Sequence, residues 1–150
     1  MRPEQQAAAG PGRCGGPRLR AAGAGDLPAV LDLWRRSTAP SRTDDLAGLR
    51  RLLDHDPGAL IVADDGGEVV GSVVAGFDGW RGSVHRLTVA PSHRRTGLGT
   101  KLLRAAEEHL AERGARRLHA LVVEDDARAV GFWAASGWHR QDDRVRFTRG

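Results

Sequence analysis

The chain has 150 residues, enough for one domain with its own buried core. Its single cysteine, Cys14, excludes an internal disulfide and a cysteine-built zinc cluster, and no apolar run reaches the ~20 residues that span a bilayer. The formal charge of +4 leaves two readings open, an acidic-ligand or nucleic-acid binder and a GC-rich coding bias. Of the 23 Lys and Arg residues only Lys101 is lysine, and the arginines form scattered pairs with acidic residues between them, as a coding bias would leave them.

In chain order, residues 1–17 are rich in Ala, Gly, Gln and Pro with no apolar leader, and are expected to be a disordered tail before a single domain over 18–150. A reducing, cytoplasmic setting in a bacterium fits that start and the lone cysteine. Arg18–Ala21 reads as a short strand. Asp26 is placed to cap a helix carrying Leu27, Val30, Leu31 and Trp34 on one face, with Pro28 tolerated in its first turn. A second helix is expected from Thr43 through Leu46, Leu49, Leu52 and Leu53 to Pro57-Gly58. Leu60–Ala63 and Val69–Phe77, joined by Asp64-Asp65-Gly66-Gly67, make a hairpin, and a turn over 78–82 leads to a strand over Ser83–Val89 that Pro91 ends. The clearest helix runs from Gly97 to Arg113, with Leu98, Leu102, Leu103, Ala106 and Leu110 on one face and Gly114 closing it. A strand over Arg117–Val123 follows, then a helix capped by Asp126 and ended by Gly137, then a closing hairpin from Trp138–Arg140 and Val145–Thr148. The fold class is α/β in the mixed, α+β sense: antiparallel hairpins first, then one β-α-β crossover whose strands are parallel.

The segment that carries chemistry is Leu87 to Thr100, LTVAPSHRRTGLGT: a strand, a proline stop, a basic pair, then glycines opening a long helix. A helix start leaves N–H groups unpaired and presents the positive end of the dipole. Gly97 and Gly99 keep no side chain over those groups, and Arg94 and Arg95 add full charge, which suits a phosphate or pyrophosphate. It is not a Walker loop, because no Gly-Lys-Ser/Thr follows, and G-x-G-x-x-G is absent.

This order resembles the GNAT N-acetyltransferases, whose phosphate loop reads Q/R-x-x-G-x-G/A after a strand ending L-x-V-x-P. Leu87, Val89 and Pro91 match the strand, and Arg94, Gly97 and Gly99 the loop. A second family element, N-x-x-A-x-x-F-Y-x-x-x-G-F, is matched in spacing by Asp126, Ala129, Phe132, Trp133, Gly137 and Trp138. The resemblance covers 18–148 by element order and 87–138 by motif. It implies a mostly antiparallel sheet with one splayed parallel strand pair, flanked by helices. It also implies acetyl-CoA as acyl donor, no metal, and an amine acceptor: a small-molecule primary amine, a polyamine or a protein N-terminus. Backbone groups of Leu87 and Val89 would pair with the pantetheine arm, and the N–H groups of Arg95, Thr96, Gly97, Leu98, Gly99 and Thr100 would hold the pyrophosphate. Asp126 and Trp133 would lie on the cofactor side.

The amine must lose a proton before it attacks, because an alkylammonium titrates near ~10.4. His85 is the first candidate base, two residues before Leu87; the plainer reading makes it an ordinary polar strand residue. Glu124 and Asp125 are the reserve. The chain departs from the family twice. Trp133 replaces the tyrosine whose phenol protonates the leaving thiolate, and the chain has no tyrosine at all; Asp126 replaces an asparagine. Those departures keep a non-catalytic acyl-CoA sensor as a second reading. A sequence-specific nucleic-acid partner is not expected, nor a membrane partner, and the assembly is expected to be a monomer or homodimer. For a polyamine, Asp44, Asp45 and Asp78 are candidates by position for an acidic cleft.

Overall fold

The computed structural model describes residues 16–150. Cys14 and all but the last two residues of the expected tail lie outside the described residues. The chain divides into two compact units, one ending at Ala120 and one covering Leu121–Gly150.

In the first unit, β1 (Arg18–Ala21) leads through a single 3-10 turn to α1 (Leu27–Ser37) and α2 (Leu46–His55). Three strands follow, β2 (Leu60–Asp65), β3 (Glu68–Phe77) and β4 (Gly82–Val89), then α3 (Leu98–Glu112) and β5 (Leu118–Ala120). The sheet order is β1-β2-β3-β4-β5, antiparallel up to β4 and parallel between β4 and β5, as the element order predicts. β3 is buried on both faces from Val69 to Ala75, which requires a layer on each side. α1 covers one side, where Trp34 meets Ser72; α3 covers the other, where Leu102 lies against Gly71 so closely that a Cβ there would come within 2.9 Å of Leu102 Cδ1. The apolar stripes predicted for these two helices are the buried ones: Leu27, Val30, Leu31 and Trp34 on α1, and Leu98, Leu102, Leu103, Ala106 and Leu110 on α3. Each buried leucine stabilises the fold by roughly 1.5–3 kcal/mol relative to exposure.

Several boundaries differ from expectation for local reasons. α2 starts at Leu46 rather than Thr43, because Asp45 caps it, accepting from Gly48 N–H at 2.6 Å. Asp26 does precede α1, but its carboxylate turns back to the Gly23 N–H at 2.8 Å and forks onto Arg20 at 2.8 and 2.9 Å instead of capping. The β2–β3 turn shrinks to Gly66-Gly67, both left-handed, so that Asp64 and Asp65 belong to the strand. β5 is shorter than the expected 117–123. Its parallel ladder stops at the Val84–Ala120 pair, just before β4 loses register with β3.

The second unit contains α4 (Ala127–Ala135). Asp126 caps it as expected, accepting from Ala129 N–H at 3.0 Å, and Gly137 follows it with a left-handed φ of 87°. The expected closing hairpin does not form: among the described residues no strand follows α4. That segment is dominated by charged side chains that pair locally, Arg140 with Glu124 and with Asp142, and it offers too few apolar residues to anchor a register. No helix among the described residues is long and apolar enough to cross a membrane.

Candidate active site

β4 and the loop after it define the site in the first unit. Thr88 pairs with Ser72, Val89 with Gly71, and Ala90 N–H donates to Val70 C=O at 2.8 Å. Antiparallel alternation then turns the peptide groups of Val89 away from β3. The Val89 carbonyl accepts from Arg94 Nε at 3.3 Å, in keeping with that direction. Arg86 and Leu87 have no register partner on β3, since Val74 faces His85 while Ser72 faces Thr88. This is a β-bulge, and Arg86 carries a left-handed φ of 53° within it. On its other edge β4 pairs with β5 only over Gly82–Val84. Beyond that stretch, Arg86 to Val89 have no strand partner on that side within the first unit.

After β4, Pro91–His93 form a 3-10 turn, and two left-handed residues follow, Arg95 at φ 65° and Gly97 at φ 83°. Alternating handedness points successive N–H groups into one concavity, a geometry suited to anions. Thr96 Oγ1 ties the loop to the His93 carbonyl at 2.6 Å, and His93 is itself held between Ser92 and Asp65, each at 2.8 Å. Gly97 stands at the N-cap of α3, with no side chain capping the helix. The first helical bond is Lys101 N–H to Gly97 C=O at 3.1 Å, so the N–H groups of Leu98, Gly99 and Thr100 precede the ladder. A Cβ at Gly97 would meet nothing within 4 Å; glycine is needed here for its φ, and the space above it is open. Leu98 differs from its neighbours, because its side chain is core and only its peptide group belongs to the loop.

His85 is exposed on β4, with Nε2 2.8 Å from Ser83 Oγ, which in turn lies 3.5 Å from the Gly76 carbonyl. The structure therefore brings His85, Leu87, Val89 and residues 94–100 together on one strand and its following loop. Glu124, Asp126 and Trp133 belong to the second unit. There Glu124 is paired with Arg140, Asp126 serves as the α4 cap, and Trp133 packs edge-on against Phe132 and Trp138 at 5.9 and 4.7 Å.

The three aspartates considered for an acidic cleft are engaged elsewhere. Asp44 pairs with Arg86 and Asp45 caps α2. Asp78 accepts from the N–H groups of Trp80 and Arg81, which hold its carboxyl below the usual range. Sequence reasoning missed the Arg86 bulge and its partners Ser72 and Trp34. Trp34 reads as ordinary core from its helical spacing, and nothing local signals a left-handed arginine. Among the described residues no group of three or more His, Cys, Asp or Glu is arranged to hold a metal.

A model of the acetyltransferase (GNAT) family matches residues 27–138, three quarters of the chain and across the boundary between the two units. An acetyltransferase of Pectobacterium atrosepticum is 38% identical over 109 residues, covering 72% of this chain and 77% of that protein. Among solved structures, the aminoglycoside N-acetyltransferase AAC(6′)-Iy in complex with CoA superposes with a TM-score of 0.74 at 18% identity, over 89% of this chain and 94% of that one. Ard1 from Thermoplasma volcanium gives 0.73 at 21% identity over 81% of each chain. An uncapped helix start behind a half-partnered strand, in a chain matched over most of its length by that family, makes this protein an acetyltransferase of the GNAT family.

Proposed function

We infer that the protein transfers an acetyl group from acetyl-CoA to a primary amine by direct attack, within one transferase domain over 18–150. The observation that carries this reading is the α3 N-terminus. It has left-handed Arg95 and Gly97, no side-chain cap, and a basic pair beside it, directly after a strand whose outer edge is partnered over only three residues. The pyrophosphate of the donor lies on the N–H groups from Arg95 to Thr100, with Arg94 and Arg95 supplying charge. Arg94 does so while its Nε supports the Val89 carbonyl. The pantetheine arm runs along the outer edge of β4 at Leu87 and Val89 as a short added strand. The Val89 N–H polarises the thioester carbonyl in the role of an oxyanion donor. By the spacing they share with the family motif, Asp126 and Trp133 are assigned to the cofactor.

In the chemical step the amine nitrogen attacks the thioester carbon, the C–S bond breaks, and the sulfur leaves as thiolate with the electron pair. His85 takes the amine proton, directly or through water, with Glu124 in reserve. Trp133 offers an indole N–H, a donor but no useful acid, so the thiolate takes its proton from water or another group, or leaves as the stable thiolate. The acceptor class is a small-molecule amine or a protein N-terminus, the donor needs no metal, and the enzyme works in the bacterial cytoplasm as a monomer or homodimer.

The test is a free-thiol assay with acetyl-CoA and a panel of amines, repeated with His85→Gln. We expect kcat to fall ~10²–10⁴-fold, the usual span for general-base catalysis, with donor affinity nearly unchanged. Loss of donor affinity at preserved kcat would make His85 a packing residue and pass the base role to Glu124. Tight donor binding without thiol release for any amine would replace the enzyme by an acyl-CoA sensor.

A further inference from the structure

Arg86 occupies the bulge of β4 in a backbone conformation that arginine rarely adopts, φ 53°. Such a conformation persists only where surrounding contacts over-determine it, and two separate sets do so here. The first set acts on the backbone. Trp34 Nε1 lies 2.8 Å from Ser72 Oγ, and Ser72 Oγ lies 3.2 Å from the Arg86 carbonyl. An indole nitrogen can only donate. The Ser72 hydroxyl must therefore accept from Trp34 and turn its own hydrogen to the Arg86 carbonyl, which fixes the sense of the relay. Both side chains are buried, Ser72 completely, so an unmade bond here would leave a polar group stranded.

The second set acts on the side chain. Arg86 Nη1 donates to Thr38 Oγ1 at 2.7 Å and to the Ala39 carbonyl at 2.9 Å, and Nη2 pairs with Asp44. The guanidinium also lies 5.4 Å from the Trp34 ring centroid. Both side chains of the ion pair are largely out of solvent, at 19% and 16% exposure, so the pair is not one of the screened surface contacts that contribute little. Its three acceptors all belong to the segment between α1 and α2. Trp34 thus serves both sets, its N–H donating to Ser72 and its ring beside the guanidinium.

We propose that Arg86 is a positioning residue for acyl transfer: clamped from the α1–α2 segment and from Ser72, it fixes the β4 bulge and with it the directions of its neighbours His85 and Leu87. This assignment rests on the functional reading above, in which the base and the donor ledge are those neighbours. It differs from a packing role in what it controls. None of the clamp's contacts is with the 94–100 loop, so its loss disturbs the alignment of base and thioester more than the holding of the pyrophosphate.

The decisive variant is Arg86→Gly, because glycine accepts the left-handed φ and removes only the side-chain half of the clamp, the bonds to Thr38, Ala39 and Asp44. We expect the variant to stay folded, to keep acetyl-CoA affinity within about threefold, and to lose kcat roughly 10–100-fold, the scale of a misaligned near-attack geometry. Amide hydrogen exchange should speed up over residues 85–89 and stay unchanged along α3; this readout does not depend on knowing the acceptor. Asp44→Asn, at the far end of the clamp, should reproduce the same pattern more weakly, and Arg86→Lys should restore part of kcat through a single bond to one acceptor. Asp44→Asn combined with Ser72→Ala should be non-additive in kcat, since both act on one bulge. Wild-type kcat and wild-type exchange in Arg86→Gly, or in Asp44→Asn should the glycine variant not fold, overturn the proposal. A wild-type chain that binds acetyl-CoA and transfers to no amine overturns the functional reading instead, and the exchange experiment then still decides whether Arg86 fixes the bulge.

Discussion

The two ends of α3 solve the same electrostatic problem in opposite ways. Its C-terminal end is closed. Asp56, the residue that caps α2, is 4% exposed and holds His109 Nε2 at 2.8 Å, Arg113 Nη2 at 2.8 Å and Gly58 N–H at 3.1 Å. Left-handed Gly114 returns its N–H to Ala111 C=O at 3.0 Å. The N-terminal end is open, with an N-cap that carries no side chain, N–H groups ahead of the ladder, and a basic pair in the loop before it. Charge at the closed end is neutralised by this chain's own residues, which makes that end a source of stability. At the open end no side chain of this chain caps the N–H donors, and in the functional reading above that end holds the donor pyrophosphate.

The sharpest way to break this contrast is to remove the carboxylate at the closed end. Asp56→Ala leaves His109 and Arg113 without their partner and should cost about 3 kcal/mol, in the range for breaking a buried pair. For a chain of this size that is a drop of roughly 6–12 °C in Tm. Acetyl-CoA affinity measured by calorimetry below the new Tm should be unchanged, and a matching loss of affinity would show the two ends are not independent.

Gly97→Glu tests the open end. The side chain enters a backbone conformation that disfavours it and places negative charge where the pyrophosphate is read to sit. Donor affinity should fall at least ~100-fold, about 2.7 kcal/mol, and the thermal shift produced by acetyl-CoA should vanish. An undiminished shift would move the donor site elsewhere.

Acid separates the ends by titration. Burial alone would raise the Asp56 carboxyl, but hydrogen bonds from His109 and the Gly58 N–H, with the charges of His109 and Arg113, outweigh it and hold it below the usual carboxylate value. The Asp26 carboxyl is held low as well, chiefly by its hydrogen bond from Arg20. A carboxyl depressed by folding contributes stability in full above its unfolded value near ~3.9, and that contribution is lost as pH falls through the folded value. Denaturant melts stepped down from pH 5 should lose stability in that window, and Asp56→Ala should flatten the slope. An unchanged slope would assign acid sensitivity to other carboxylates.

The smallest effect is expected at Arg113, whose side chain is 43% exposed. Arg113→Ala should cost less than about 1 kcal/mol, as half-solvated ion pairs do, and leave His109 holding Asp56. A cost equal to that of Asp56→Ala would make arginine, not histidine, the principal partner.

The sequence by itself determined the elements that local chemistry governs. The leucine spacing of α3, the β2–β3 hairpin with glycines in its turn, the Asp126 cap and the glycines after α3 and α4 were legible, because periodicity and left-handed turns act over a few residues; the turn itself was expected two residues longer. The parallel pairing of the strands on either side of α3 followed from their connection by a helix. The open helix start was readable too, since an arginine pair followed by alternating glycines is a local pattern. What only the tertiary structure decided are features made between distant residues. Pro57-Gly58 announced a helix stop, but not that Asp56 beside it would close α3 through His109 and Arg113. Asp44 was by position a candidate for an acidic cleft, but the fold places Arg86 against it. The expected closing hairpin failed for the complementary reason, because Trp138, Val145 and Phe147 alternate too weakly to fix a register among charges that pair with one another. The bulge that sets His85 and Leu87 is held by Trp34, Ser72, Thr38 and Asp44, none of them near it in sequence. A left-handed arginine is unfavourable on its own, and only contacts assembled by the fold can hold it there.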